Sequence, residues 1–197
     1  MNLRILGIVV LLLSACSARG EVLRGEVVGV TDGDTITVLD DRKQTHKIRL
    51  QGIDAPERKQ AFSERSKQNL SRLVFGKRVE VHERGRDRWG RILGKVMVAP
   101  PDCPSSDCPT TLDVNLAQIE SGLAWWYRHF AREQPPEDRA AYEAAELRAR
   151  EARTGLWSDP SPVPPWEFRR AKKRRRMRAL RREAAPRRRS RSRALRA

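Results

Sequence analysis

Three short segments separated by two turn signals limit the folds open to this chain. The first segment runs through Val27, Val28 and Val30 and ends at Asp32-Gly33, a dipeptide typical of tight hairpin turns. Residues 35–38 then alternate in polarity, and a second turn near residues 40–42 precedes a third segment at residues 46–50. The pattern predicts three antiparallel strands arranged as a meander.

The next hundred residues predict two more strands and several helices. Apolar residues fall on one face over residues 62–74, which predicts a helix, and strands are expected at residues 78–82 and 92–98. Asp113 is expected to cap a short helix ending at Gly122, and Pro135-Pro136 to open a longer helix before Gly155. We therefore expect an α+β fold, a five-stranded Greek-key β-barrel of the OB type with about three helices.

The positive charge of the chain is concentrated at its C-terminus. The net charge is +16, and residues 169–197 contain 16 Arg or Lys and one acid, so they carry 15 of these charges. Four prolines within residues 160–165 place a boundary at 159–168, between a folded domain at 22–158 and the tail at 169–197. The tail has few apolar residues and is expected to be disordered. Three interpretations of the tail stay open: it binds nucleic acid, it binds anionic lipid, or it has no selected role.

Residues 1–15 are typical of a signal peptide. Arg4 precedes an apolar run that is shorter than the roughly 20 residues needed to cross a bilayer. The run ends in Leu13-Ser14-Ala15-Cys16, which resembles the lipobox of bacterial lipoproteins, where the cysteine is lipidated. An ordinary signal peptide that contains a cysteine is the alternative. Lipidation of Cys16, followed by a short linker at 16–21, predicts export to the cell envelope, at the outer membrane or in the periplasm, with release from the cell also open.

Two further cysteines, Cys103 and Cys108, lie in a proline-rich loop at residues 100–109. In an exported protein, such a close pair predicts a disulfide. A zinc site needs more ligands than this stretch of sequence offers. His46, His82 and His129 are scattered without metal-ligand spacing, and we interpret them as surface or packing residues.

Two aspartates are expected to meet at one end of the barrel. Asp34 begins the second strand and Asp54 ends the third, so antiparallel pairing of these strands would make the two carboxylates neighbours. Close carboxylates repel each other unless a cation lies between them, and oxygen ligands suit Ca²⁺ or Mg²⁺ better than zinc. The alternative is that Asp32 and Asp34 only form a turn and that Asp54 only caps a loop.

One glutamate and two arginines complete the candidate site. Pro56 holds Glu57 a short rigid turn from Asp54, where a carboxylate can orient water or accept its proton. Arg49 lies in an apolar strand and needs an anionic partner, and Arg91 lies in the turn before the fifth strand. Two guanidinium groups can bind the oxygens of one phosphoryl group. The alternatives are a surface role for Glu57, a structural ion pair for Arg49 and a solvated turn for Arg91.

The candidate residues lie in three segments, which are Asp32-Gly33-Asp34-Thr35, Arg49-Leu50-Gln51-Gly52-Ile53-Asp54-Ala55-Pro56-Glu57 and Asp87-Arg88-Trp89-Gly90-Arg91. With their matched spacing, these segments resemble the staphylococcal nuclease family, the thermonucleases. The likeness spans residues 22–157 in order and includes Asn115 and Gly122-Leu123-Ala124. The resemblance implies an OB-fold barrel that uses Ca²⁺ to hydrolyse phosphodiesters in DNA and RNA.

The resemblance also implies a role for each matching residue. Asp34 and Asp54 would be calcium carboxylates, and Ala55, often a threonine in the family, would supply a backbone carbonyl. Glu57 would activate or orient the attacking water, and the phosphate clamps would be Arg49 and Arg91.

Aromatic and basic side chains near these motifs are candidates for substrate binding. Family members place aromatic residues around the nucleotide, which makes Trp89 and Tyr127 candidate substrate-binding residues, and the basic Arg88 beside Trp89 is a third candidate. Which of Trp125, Trp126 and Tyr127 faces the substrate is left open by the sequence.

The sequence as a whole favours an exported, monomeric, Ca²⁺-dependent nuclease with no implied protein partner. The alternative is a non-catalytic OB-fold lipoprotein that binds nucleic acid, and a structural envelope lipoprotein is a third reading. All five charged positions of the candidate site are filled, which favours the enzyme. Preference for DNA or RNA, and endonuclease against exonuclease action, are left open.

Overall fold

The computed structural model describes residues 22–103 and 108–184, which contain eight strands and four α-helices. The strands are β1 (Val22–Asp32), β2 (Thr35–Asp40), β3 (Thr45–Leu50), β4 (Ile53–Asp54), β5 (Arg78–Arg86), β6 (Ile92–Val98), β7 (Leu112–Asp113) and β8 (Trp125–Trp126). The helices are α1 (Ser63–Val74), α2 (Val114–Glu120), α3 (Pro136–Glu151) and α4 (Pro165–Ala184). Short 3₁₀ segments at Arg128–Glu133 and Gly155–Ser158 flank α3.

Five of the strands close into a barrel. Their order is β3-β2-β1-β5-β6, with antiparallel neighbours, and β3 then pairs in parallel with β6, so that Ile48 lies opposite Ile92. β7 extends the edge beside β6, and β4 pairs with β8 in a separate two-stranded sheet. This closed five-stranded barrel with helices confirms the predicted α+β OB-type fold.

Alternating side chains fill the barrel. Ile36 and Val38 of β2 are fully buried, as are Ile48 of β3 and Val96 of β6, because successive residues of a strand point to opposite faces. Helix α1 covers the barrel beside β1 and buries Leu70 and Val74 from its apolar face. The apolar positions that the sequence pattern gives for the strands and for α1 are therefore buried together in one core.

The segment between β3 and β4 differs from the predicted strand. β3 ends at Leu50, the chain turns at Gly52 with φ of 75°, and Asp54 lies in β4 and not at the end of β3. Glycine is required in this turn, since an added Cβ atom would lie 2.1 Å from Nε2 of Gln134. The buried Asn115 amide donates to the Gln51 carbonyl at 2.9 Å and so holds the segment against α2.

The C-terminal region also differs from the predicted boundary and disordered tail. Helix α4 begins at Pro165, inside the expected boundary, and continues to Ala184. Proline is well suited to the first helical position, and the Arg, Lys, Ala, Leu and Met residues that follow are strong helix formers. The low apolar content rules out a core for the tail, but a helix requires none.

Some predictions fall outside the described residues. The signal peptide at 1–15, the linker at 16–21 with Cys16, and the last part of the tail at 185–197 lie there. In the described ranges, no helix has the length and hydropathy needed to cross a membrane. Cys103 and Cys108 are joined by a disulfide with Cα atoms 5.9 Å apart, as their spacing predicts.

Candidate active site

Arg49 joins the two predicted cation-binding carboxylates. Its Nη1 lies 2.9 Å from Oδ2 of Asp34, and its Nη2 lies 2.9 Å from Oδ1 of Asp54. Pairing of β2 with β3 sets Thr35 opposite Arg49, which brings Asp34 to the guanidinium, while β4 brings Asp54 from the other side. The side chains of Asp34 and Asp54 are only 8% and 1% exposed. They are neighbours, as predicted, although Asp54 arrives on a different strand.

Arg91 reaches the same cluster through Thr35. The Thr35 hydroxyl donates to Oδ1 of Asp34 at 3.0 Å and accepts from Nη1 of Arg91 at 3.3 Å. Asp87 holds Arg91 in this position, since its Oδ2 accepts from Nε of Arg91 at 2.7 Å. Backbone N–H groups of Trp89 and Arg91 donate to the other oxygen of Asp87 at 2.9 and 3.0 Å. The turn therefore presents Arg91 as a fixed side chain.

The hydrogen bonds within this turn lower the pKa of Asp87. Partial burial would raise the pKa of Asp87, but hydrogen bonds from the Arg91 side chain and from two backbone N–H groups lower it below its ordinary value. Asp87 is accordingly a stable anionic anchor for Arg91.

Glu57 lies at the open side of the cluster with 37% of its side chain exposed. Its backbone N–H donates to Oε1 of Gln60 at 3.0 Å, which fixes the loop after Pro56. Its carboxylate accepts from Nη1 of Arg169 at 2.7 Å, and the same guanidinium binds Asp54. Glu57 is therefore linked to the buried acids through a residue of α4.

Buried negative charge is concentrated at this end of the barrel. Burial raises the pKa of Asp54, against the opposing effects of a hydrogen bond from Arg169 and the charge of Arg49. Burial, followed by the charge of Asp34, raises the pKa of Asp32 to about 6. Carboxylates held in such surroundings favour a bound positive charge.

The donor atoms suit a hard cation. Asp34 and Asp54 supply carboxylate oxygens, and the backbone N–H of Ala55 donates to Oδ2 of Asp34 at 2.7 Å, which places Ala55 beside the acids. No group of three or more His, Cys, Asp or Glu side chains that could hold a metal occurs in the described part of the chain. A cation here would need backbone, water or substrate oxygens as well, which Ca²⁺ and Mg²⁺ readily accept. The residues present fit such an ion.

Exposed and half-buried aromatic rings flank the cluster. The Trp89 side chain is 66% exposed, with the guanidinium carbons of Arg88 and Arg91 lying 4.0 and 5.2 Å from its ring centre. Trp125 and Trp126 are buried in the core, whereas Tyr127 is half-buried. Of these three aromatic residues, Tyr127 is therefore the one that is partly exposed, and its ring stacks against Trp166 and His129.

The comparisons with known proteins agree with this geometry. Residues 47–159 match the family described as Staphylococcal nuclease homologue. The chain belongs to this family. The micrococcal nuclease of Shigella flexneri is 47% identical over 150 residues, which cover 76% of this chain and 82% of that protein.

Two further relatives match over a similar share of the chain. Protein ParB of Escherichia coli is 47% identical over 154 residues, covering 78% of this chain and 83% of that protein. An uncharacterized endonuclease of Haemophilus influenzae is 35% identical over 161 residues, covering 82% of this chain and 80% of that protein. The resemblance drawn from three short motifs is thus confirmed over most of the chain.

Three residues at the site were missed by sequence reasoning. Thr35 and Asp87 position the site through hydrogen bonds, and a signal for each exists, because both lie inside the motifs that carry the family resemblance. Arg169 had no such signal. It is one of 16 basic residues in the tail, and only the packing of α4 brings it to Asp54.

Proposed function

We propose that this chain is a Ca²⁺-dependent nuclease that hydrolyses phosphodiester bonds of DNA, RNA or both by in-line attack of water. The reaction class, endonucleolytic phosphodiester hydrolysis, follows from membership of the nuclease family. The observation that carries the detailed proposal is the convergence of Asp34, Arg49, Asp54 and Arg91 at one end of the barrel, with Glu57 at the rim.

Asp34, Asp54 and the backbone carbonyl of Ala55 would hold the ion. When bound, Ca²⁺ supplies Lewis-acid polarisation of a phosphoryl oxygen. Glu57 is exposed enough to contact water, and its carboxylate orients the attacking water or accepts its proton. The role of Ala55 depends only on its backbone, so the side chain at this position is not critical.

The arginines have a second role, in binding the phosphate. Guanidinium groups from Arg49 and Arg91 would bind non-bridging phosphate oxygens and stabilise the charge that develops in the transition state. In the structure Arg49 forms ion pairs with Asp34 and Asp54, which is the structural role given above as the alternative for this residue. Phosphate would therefore compete with these carboxylates for the Arg49 guanidinium, whose observed partners are all bound through Nη1 and Nη2.

Two aromatic rings and one arginine would bind the nucleotides next to the cut bond. Trp89 and Tyr127 offer faces on which bases stack, and Arg88 lies over Trp89 with its charge near solvent. Stacking has little sequence preference, so we expect cleavage that tolerates many sequences.

The same proposal places the enzyme outside the cytoplasm. A signal peptide at 1–15 and lipidation of Cys16 would anchor a monomer in the envelope, and the loop disulfide at Cys103 and Cys108 suits an oxidising compartment. Labelling of the expressed protein with a radioactive fatty acid, lost in a Cys16→Ser variant, tests the anchor.

The proposed chemistry is tested by digestion of plasmid DNA and of RNA with the mature protein in Ca²⁺, in Mg²⁺ and in chelator. We expect cleavage with Ca²⁺, loss of cleavage with chelator, and loss in Asp34→Asn. The matched control is Asp41→Asn, since Asp41 forms an exposed pair with Arg78 away from the cluster. Equal cleavage in chelator would exclude cation dependence. Binding without any cleavage would favour the non-catalytic alternative.

A further inference from the structure

Residues 163–169, which lead into α4 and form its start, lie directly on the candidate active site. Three consecutive contacts hold this segment there, and they are spaced three residues apart. Gln60 donates a side-chain hydrogen bond to the carbonyl of Val163, Trp166 packs on Tyr127, and Arg169 binds Asp54 and Glu57. Residues 166 and 169 share one helix face, so a single docking of the helix makes both contacts.

Arg169 occupies the oxygen atoms that a cation would need. Its Nη2 donates to Oδ2 of Asp54 at 2.8 Å, and its Nη1 lies 3.2 Å from Oδ1 of Asp54 and 2.7 Å from Oε1 of Glu57. Oδ1 of Asp54 also accepts from Arg49. Both oxygens of Asp54 are therefore taken by guanidinium groups, and a cation can bind there only if Arg169 withdraws.

Trp166 occupies the aromatic surface that a base would need. The Trp166 and Tyr127 rings are stacked, with centroids 5.4 Å apart and planes inclined by 24°. This is the geometry of an offset stack, which a nucleic acid base would adopt on the same ring. The helix thus places an indole at the proposed base position and a cationic group at the proposed cation position.

We propose that residues 163–169 form an autoinhibitory strap, which closes the active site until Ca²⁺ and a nucleic acid strand displace it together. The inference rests on the proposed function, because it assigns an intramolecular competitor to the same site. Beyond Arg169, α4 is exposed and strongly basic, so its remaining length is free to bind the phosphates of the displacing strand.

The strap is held by contacts weak enough to be reversible. The Arg169 side chain is 42% exposed, so water and salt screen its pair with Glu57, which is 37% exposed, and reach the Arg169 side of its pair with the buried Asp54. The competitor ion carries two charges and would replace one guanidinium. Removal of Arg169 should therefore favour the cation without unfolding the barrel.

The test measures Ca²⁺ affinity by titration calorimetry on the full mature chain, so that the readout does not depend on activity. We expect Arg169→Ala to bind Ca²⁺ about tenfold more tightly than the parent, the order of one charge-assisted hydrogen bond. The matched control is Arg170→Ala, which removes an adjacent, exposed arginine and should leave the affinity unchanged. Arg169→Lys should give an intermediate affinity, because lysine keeps the charge and loses the fork.

Hydrogen exchange supplies an independent measurement of the movement. Amides of Val163 and of residues 166–170 should exchange faster when Ca²⁺ and a phosphorothioate oligonucleotide are added to the parent protein. In Arg169→Ala they should exchange fast from the start. Trp166→Ala should bind the same oligonucleotide more tightly than the parent, since it vacates Tyr127.

Each result separates the strap from the nuclease proposal. Equal Ca²⁺ affinity in the parent and Arg169→Ala, with both cleaving DNA, would overturn the strap and leave the nuclease intact. Weaker Ca²⁺ binding or lost cleavage in Arg169→Ala would also overturn the strap, because Arg169 would then assist the reaction. If none of the variants binds Ca²⁺ or cleaves, the nuclease proposal fails and the strap fails with it.

Discussion

Replacement of Arg49 by lysine separates the structural and catalytic roles of the side chain at the centre of the site. The guanidinium, only 14% exposed, binds Asp34 and Asp54 at 2.9 Å each and also donates to the carbonyls of Leu50 and Ile53 at 3.2 and 3.1 Å. A lysine ammonium has three donors on a single nitrogen, so it cannot reach both carboxylates and both carbonyls together.

The size of the effect follows from these contacts. Arg49→Lys loses at least one hydrogen bond to a buried carboxylate, which costs about 2 kcal/mol in the free energy of unfolding. In a chain of this size that change lowers Tm by roughly 4–8 °C in the presence of chelator. The phosphate clamp is affected more strongly, since the loss of one preorganised donor typically lowers kcat by about 10²–10³.

Two assays measure the two roles of Arg49. Thermal unfolding by circular dichroism in chelator gives Tm, and steady-state cleavage of plasmid DNA in saturating Ca²⁺ gives kcat. The control is Arg24→Lys, whose side chain is 60% exposed and pairs with Glu80 on the outside of the barrel. A lowered Tm with near-normal turnover would refute the phosphate role and leave Arg49 as a structural ion pair.

Three other substitutions test the positioning of the site and the stability of the fold. Asp87→Asn removes the anionic anchor of Arg91 and should lower kcat about tenfold or more with an unchanged Tm, whereas unchanged kinetics would show that Arg91 needs no anchor. Gly33→Ala would place a Cβ atom 1.8 Å from Oγ of Ser66, so we expect a loss of roughly 1–3 kcal/mol in chemical denaturation that Ser66→Gly partly restores. Cys103→Ser opens the short loop closed by the disulfide and should lower the free energy of unfolding by about 2 kcal/mol, from the loop-entropy relation. Chemical denaturation of the parent in reductant should show the same loss. A parent whose stability is unaffected by reductant would contradict that estimate.

Much of the fold follows from local sequence signals. The Asp32-Gly33 turn, the alternation in β2 and β6, and the Asp113 cap of α2 each depend on residues close together in the chain. Their boundaries were predicted within a few residues because turn chemistry and side-chain period act over short distances. These local signals predict five strands, and the parallel pairing of β3 with β6 closes the strands into the predicted barrel.

The candidate site was predicted less completely, for a physical reason. The types of donor, two aspartates, one glutamate and two arginines, were identified from the sequence. The prediction that Asp54 lies on the third strand was wrong. The chain turns at Gly52, and Asp54 then pairs with β8 (Trp125–Trp126) as part of the separate strand β4. Pairing of this kind joins residues more than seventy positions apart, which no local pattern encodes.

The sequence alone determined the chemical inventory of this protein. It determined the barrel strands, the acids and arginines that a hard cation and a phosphate require, and the separation of charge between body and tail. Only the tertiary structure decided which of these charges meet. It put Arg49 between Asp34 and Asp54, tied Arg91 to Asp87, and brought Arg169 from the tail onto Asp54 and Glu57. A buried carboxylate needs a positively charged partner, and tertiary packing determines which side chain lies close enough to serve. Position along the chain does not determine that partner.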